Sequence, residues 1–195
     1  MTDFFRESPW PGLILWVSLF VSDYALTIAG ARMYRAQDKI VFEGSVEITP
    51  LYQADVDALR RLSPRFLSVL FLIAALIWFM WQVTALAASW LDAFPFFLGM
   101  FIGVQLAVHV RHLRNWFLYR HALGVDGVRG RFEYPRQILL RMSALELIAF
   151  AGVFCLLFVV TGSWFMFGAA MSCAITAGKH YSLAQKQAAL KATTS

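Results

Sequence analysis

The stretch FLSVLFLIAALIWFMWQVTALAASWL, residues 66–91, decides the fold class because it contains no charged side chain. A transmembrane helix needs about 20 mainly apolar residues to cross a hydrocarbon core about 30 Å thick. Apolar windows of this kind also occur at residues 11–31, 93–113, 141–161 and, as the shortest, 163–178. The sequence therefore predicts an all-α integral membrane protein, a bundle of five transmembrane helices that forms one polytopic domain over residues 1–195.

The overall composition agrees with insertion into a membrane. Hydrophobic residues make up 59% of the chain and charged residues 15%, whereas soluble domains average about 45–50% and about 25%. With most of the chain in spans, little is left for a separate water-soluble domain. The N-terminal segment MTDFFRESPW lacks the basic region of a cleavable signal peptide, so we expect the first span to stay in the mature protein.

Basic residues are unevenly distributed between the two predicted faces. They concentrate in the loops at residues 32–65 and 112–140 and in the tail after residue 178. The positive-inside rule assigns such segments to the cytoplasm. We therefore predict a protein of the plasma (inner) membrane, with its N-terminus outside and its C-terminus in the cytoplasm.

The formal net charge of +5 at pH 7 raises the question of what the cations bind. One membrane face accounts for them, and no nucleic-acid-binding motif accompanies them, so we predict anionic phospholipids as partners and no nucleic acid. The candidate headgroup-binding residues are Arg111, Arg114, Arg131, Arg136 and Arg141.

The two predicted cytoplasmic loops share a local pattern. EGSVEITP, residues 43–50, resembles RGRFEYPR, residues 129–136, in its glycine, its alternating apolar residues and its proline. The alternation predicts short strands at residues 46–48 and 132–134, and Thr49-Pro50 predicts a helix start. The pattern is open to three interpretations: a true internal repeat, two strands that pair with each other, or two independent loops.

Ionisable residues inside predicted spans are functional candidates because burial in lipid is costly. Asp23 lies near the middle of the first span, and Glu146 lies just inside the fourth. Gln105 and His109 fall in the same cytoplasmic half of the third span. These four residues are predicted to face one polar cavity open to the cytoplasm. Gln105, His109 and His112 share one side of the third span and, with a nearby acid, are a candidate proton relay or divalent-cation site.

Structural explanations for the same residues stay open. Glu146 can pair with Arg141, Asp23 can pair with an arginine of another helix, and the histidines can be headgroup-level residues. Haem ligation by His109 and His180 has no other support, so the sequence assigns no cofactor and no metal ligand.

Small residues in two spans predict close helix packing. The third span contains Gly99 and Gly103 in a GxxxG motif, and the last contains Gly168 and Ser172 at the same spacing. Such motifs support contacts within one chain, in a homo-oligomer or with a partner subunit.

Motifs of the common soluble enzyme families are absent from the sequence. The first functional hypothesis is a transport or channel-type protein with a polar intramembrane site. The second is a membrane-embedded enzyme that acts on a lipid or isoprenoid headgroup at the cytoplasmic face. The third is a non-catalytic membrane subunit or assembly factor. The sequence specifies no substrate.

Overall fold

The structure is a computed structural model that describes residues 7–86, 92–124, 127 and 129–194. This part of the chain is mostly helical and contains six helices and two short strands. In chain order the elements are α1 Trp10–Arg35, β1 Ile40–Phe42, α2 Pro50–Asp57, α3 Pro64–Leu86, α4 Ala93–Leu123, β2 Phe132–Tyr134, α5 Arg136–Thr161 and α6 Trp164–Thr194.

Four of these helices, α1, α3, α4 and α5, are long and apolar enough to cross a membrane, which identifies a membrane protein. Residues 87–91, the end of the predicted second span, lie outside the described residues. The fifth predicted span, 163–178, falls within α6. Its apolar run ends at Lys179, before it reaches the usual length of about 20 residues, so the five-span bundle is not confirmed.

The two predicted cytoplasmic loops are joined by a parallel two-stranded ribbon. Its second strand, β2, covers the residues that the sequence predicts. Its first strand is β1, with Ile40 opposite Phe132 and Phe42 opposite Tyr134. The prediction of a strand at residues 46–48 is therefore wrong, although the two loops do pair.

Aromatic packing explains why β1 forms where it does. The ring of Phe42 stacks on Tyr34 at a centroid distance of 5.3 Å and also contacts Tyr119 and Tyr134. Ile40 is 3% exposed in the same cluster. An isolated two-stranded ribbon is marginal in water, so this burial against α1 and α4 is what stabilises it.

A short helix and a buried carboxylate connect the first loop to α3. Helix α2 begins at Pro50 after Thr49, as predicted. Its Asp55 is 2% exposed and accepts hydrogen bonds from Ser63 at 2.5 Å and from Arg60 at 3.1 Å. Hydrogen bonding of this kind is what a buried charge requires, so Asp55 fixes α2 at the start of α3.

Stacked aromatic rings join α1 to α3. Phe66 of α3 stacks on Phe20 at 5.1 Å and on Tyr24 at 4.4 Å. Trp16, 2% exposed, extends this stack along α1. Most of the remaining α3 surface is apolar and exposed, as expected for a helix that faces lipid.

The small-residue motifs of α4 and α6 pack against each other. A Cβ atom at Gly99 would collide with the backbone carbonyl of Phe165, and one at Gly103 would collide with Ala169. At these two positions only a missing side chain allows the backbones to approach so closely. The GxxxG motif therefore mediates a contact between two helices of the same chain.

Candidate functional site

A cavity of about 290 Å³ lies between α1, α4 and α6. Residues 46–49 of the first loop and Tyr52 of α2 complete its wall. Small-molecule sites measure about 300–1,000 Å³ and combine an apolar lining with a few convergent polar groups. This cavity therefore has the size of a small-solute or headgroup site.

Asp23 and His112 form a hydrogen-bonded pair in the cavity wall. The Asp23 Oδ1 atom lies 2.6 Å from Nε2 of His112, and the two side chains are 22% and 17% exposed. The carboxylate can only accept, so the imidazole Nε2–H donates. The Thr27 hydroxyl lies 3.3 Å from the same nitrogen. This pair links α1 to α4.

Arg111, the neighbour of His112, contributes a cation to the same cavity. Its Nη1 donates to the Ser143 hydroxyl at 2.7 Å, and that hydroxyl lies within hydrogen-bonding distance, 2.8 Å, of Nδ1 of His180. The Nε of Arg111 lies 3.9 Å from Oε2 of Glu146, which is too far for a hydrogen bond. The Arg111, Ser143 and His180 side chains thus connect α4, α5 and α6.

One carboxylate reaches the cavity from the first loop. Oε1 of Glu47 accepts a hydrogen bond from the Thr49 backbone N–H at 2.7 Å. Burial raises the pKa of Glu47, while hydrogen bonds from Thr49 lower it by less. The charge of Asp23 raises this pKa further and that of Arg111 lowers it. Burial is the dominant cause because it disfavours the charged form.

Tyr52 presents a neutral phenol to the same cavity. Burial, reinforced by the charges of Asp23 and Glu47, raises the pKa of Tyr52 to about 12. The hydroxyl therefore keeps its proton at neutral pH and remains available as a hydrogen-bond donor.

The four residues predicted to share a polar cavity are divided between two environments. Asp23 and Gln105 line the cavity, whereas His109 and Glu146 are not among its lining residues. His109 lies 2.7 Å from the Gln105 carbonyl oxygen through Nδ1 and 2.7 Å from the Ser22 hydroxyl through Nε2. His109 thus joins α1 to α4 beside the cavity.

Glu146 faces arginines of α4. Its Oε1 forms an ion pair with Nη1 of Arg114, and its Oε2 is the atom that lies near Arg111. The alternative pairing with Arg141 is therefore not formed, and Asp23 pairs with a histidine instead of an arginine.

The predicted headgroup-binding arginines are placed differently from one another. Arg111 is in the cavity and Arg114 is paired with Glu146. Arg131 forms an ion pair with Glu133 at 2.8 Å, and Arg136 donates to the carbonyl of Ser45 at 3.4 Å. Arg141 is exposed on α5.

A second cavity, of about 260 Å³, adjoins the first between α4 and the start of α5. Val46, Ile48, Arg111, Asn115 and Tyr119 line both cavities and therefore lie between them. Residues 46–48, which alternate like a strand in the sequence, separate these two spaces.

Sequence reasoning missed the role of Glu47 and underestimated Arg111. Glu47 sits between two apolar residues, so the alternation suggested an outward-facing strand side chain. The sequence predicts Arg111 only as one of five headgroup-binding arginines of the basic face, because its helix continues into the cytoplasmic loop. A signal was present for Arg111, which directly precedes His112 and is the first arginine or lysine after the start of the third span at residue 93.

Comparison with protein-family models, with curated proteins and with solved structures finds no match for this chain. Within the described ranges, no group of three or more His, Cys, Asp or Glu side chains is arranged to hold a metal ion.

Proposed function

We propose that this protein is a transport-type membrane protein that binds a small polar solute in the cavity and couples binding to proton exchange at Asp23 and His112. The observation that supports this most is the 2.6 Å contact between these two side chains in the cavity wall. Ionisable residues at membrane depth mark substrate paths and proton relays in many transporters.

Proton exchange at this pair would alter both the charge of the cavity and the contact between two helices. The Asp23 carboxylate accepts a charge-assisted hydrogen bond from α4. A proton on Asp23 removes its negative charge and weakens that bond. A solute that binds the protonated and deprotonated states with different affinity then shifts the equilibrium between them. Coupled transport requires such a difference.

The proposal includes five membrane crossings, with α6 as the fifth, an external N-terminus and a cytoplasmic C-terminus in the plasma (inner) membrane. Ala169, Cys173 and Ala177 of α6 are 0%, 0% and 1% exposed, so α6 packs closely with its neighbours despite its short apolar run. Helix α6 contains 31 residues, roughly 46 Å at 1.5 Å per residue, enough to cross and continue beyond the bilayer.

Proteoliposomes with an internal pH-sensitive dye test the proposed function. Labelled sugars, amino acids, carboxylates and phosphates are added outside under an inward proton gradient. We expect uptake of at least one class together with internal acidification. Asp23→Asn should reduce this coupled uptake by about tenfold or more, the effect of losing one charge-assisted hydrogen bond.

Asp38→Asn is the matched control because Asp38 is an exposed acid on the first loop. It should leave uptake unchanged. Uptake no greater than in protein-free liposomes for every solute class would contradict transport. Normal coupled uptake by Asp23→Asn would contradict the role of the Asp23 and His112 pair.

A specific observation favours an enzyme acting on a lipid headgroup as the second candidate. The Ser143 hydroxyl lies 2.8 Å from His180, with Arg111 beside it, which matches the spacing of a nucleophile and its base. For such an enzyme, mass spectrometry of lipids incubated with the protein would detect a modified headgroup. The Ser143→Ala variant would leave the lipids unmodified. Unchanged lipids would contradict this candidate.

A further inference from the structure

Arg111 has more hydrogen-bond donors than the protein satisfies. A guanidinium carries five N–H donors. Described residues accept one hydrogen bond from it, at the Ser143 hydroxyl, and its buried Nε has no hydrogen-bond partner among them. A cation in this state is suited to an additional anionic ligand, because arginine binds oxyanions through two parallel hydrogen bonds.

The carboxylates near Arg111 each have another partner. The pairs are Asp23 with His112, Glu146 with Arg114, and Glu47 with the Thr49 N–H. Glu146 also forms a loose ion pair with Arg111, with 3.9 Å between Oε2 and Nε, but neither of these two atoms has a hydrogen-bond partner among the described residues. Arg111 therefore contributes a positive charge to the cavity that no carboxylate of the described chain contacts within hydrogen-bonding distance.

Two residues that line the same space each contain a buried polar atom without a partner. The Tyr119 hydroxyl and Oε1 of Gln105 lack hydrogen-bond partners among the described residues. Buried groups of this kind are costly unless they are satisfied. A tyrosine hydroxyl can donate to a phosphate oxygen, and a glutamine oxygen can accept from an ester hydroxyl. Together they match a hydroxylated phosphate ester.

We propose that the Arg111 guanidinium is the binding subsite for a phosphate group, supplied by a lipid headgroup or by a soluble phosphate ester. The remainder of the ligand occupies the cavity of about 290 Å³, with Gln105 and Tyr119 in contact with it. This inference specifies the ligand class of the cavity and therefore rests on the proposed function.

Thermal unfolding of the purified full-length chain tests binding without any substitution. Glycerol 1-phosphate serves as the soluble probe, dihexanoyl phosphatidylglycerol below its micellar concentration as the lipid probe, and glycerol as the phosphate-free control. At a probe concentration about five times Kd, which stabilises the folded state by about 1 kcal/mol, we expect Tm to rise by about 2–4 °C. Glycerol should cause no rise. No response to either phosphate up to about 10 mM, far above usual substrate affinities, would overturn the proposal.

Variants at two arginines locate the site. Arg111→Gln should weaken phosphate binding about tenfold or more, and Arg111→Lys should weaken it less because it keeps the charge but loses the planar fork. Arg61→Gln, at an exposed arginine outside the cavity, should change the affinity less than about twofold. An equal loss in Arg61→Gln would indicate surface attraction and overturn the subsite.

If Arg111→Gln does not fold, the phosphate affinity of Arg111→Lys, compared with that of the unsubstituted chain, tests the subsite instead. A response to the lipid probe alone identifies a headgroup as the source, and a response to both identifies the phosphate group itself. Phosphate binding without solute uptake in proteoliposomes supports the subsite and contradicts transport. Uptake restricted to uncharged solutes, without phosphate binding, supports transport and contradicts the subsite.

Discussion

At the scale of single residues, three pairs of polar side chains join one helix to another. Asp23 bonds to His112, Ser22 to His109, and Ser143 to His180. Asp23 could be recognised from the sequence because a carboxylate in an apolar run is unusual. Its pairing with His112 could not be predicted, because the rotation of α1 relative to α4 depends on packing along both helices.

Glu47 should make stability depend on pH. Burial raises its pKa in the folded state above the unfolded value. The stabilisation from its neutral form is complete below the unfolded pKa, about 4.3, and is lost as pH rises through the folded pKa. Glu47→Gln should therefore raise Tm at neutral pH and flatten the dependence of Tm on pH, as measured in detergent from about pH 4 to pH 8.

Glu133→Gln is the control for this pH series. The Glu133 side chain is 66% exposed and pairs with Arg131 at the surface, where ion pairs contribute little. Its Tm profile should parallel that of the unsubstituted chain. A parallel profile for Glu47→Gln as well would show that the Glu47 carboxylate is not buried in solution.

At the scale of secondary-structure elements, local signals predicted some parts of the fold and long-range packing decided others. The start of α2 at Pro50 and the position of β2 follow from local sequence. The position of β1 does not follow from local sequence, because residues 46–48 have the better alternating pattern while residues 40–42 have the aromatic partners. Tyr34 and Tyr119, which select β1, lie on two different helices, and no local window contains both.

The interface between α4 and α6 should be sensitive to a single added methyl group. Gly103→Ala places a Cβ against Ala169, and such overpacking typically costs about 1–3 kcal/mol. Tm should fall by about 2–4 °C for each kcal/mol in a chain of this size. Unfolding in detergent, followed by intrinsic fluorescence, measures the change.

Gly152→Ala makes the same chemical change on α5, where an added Cβ meets no atom within 4 Å. Alanine is favoured over glycine in an open helical position by about 0.5–1 kcal/mol, so this variant should be neutral or more stable. Equal effects at residues 103 and 152 would show that α4 and α6 do not approach as closely as their glycines permit.

At the scale of the whole molecule, the ribbon of β1 and β2 constrains the topology more strongly than charge does. Strands that hydrogen-bond to each other must lie on one side of the membrane. The four apolar helices were predictable because insertion depends mainly on apolar length. The packing of α6 on α4 was only partly predictable, because small-residue motifs indicate a close helix contact but do not identify the partner helix.

Cysteine labelling tests this topology in a background that lacks the two free cysteines, Cys155 and Cys173. Asp38→Cys and Arg129→Cys report the two loops joined by the ribbon, and Thr161→Cys reports the exposed end of α5 on the opposite side. In intact cells a membrane-impermeant maleimide should label residue 161 alone, and permeabilisation should expose the other two, because the basic loops are expected in the cytoplasm.

The labelling pattern tests the ribbon and the orientation of the chain separately. Labelling of residues 38 and 129 from opposite sides would exclude the ribbon, since paired strands cannot be separated by a bilayer. Labelling of both from outside, with residue 161 protected, would keep the ribbon and reverse only the orientation. Residues 46–49, in the same loop as residue 38, line the cavity. The side of the membrane from which residue 38 is labelled is therefore the side on which this wall of the proposed binding site lies.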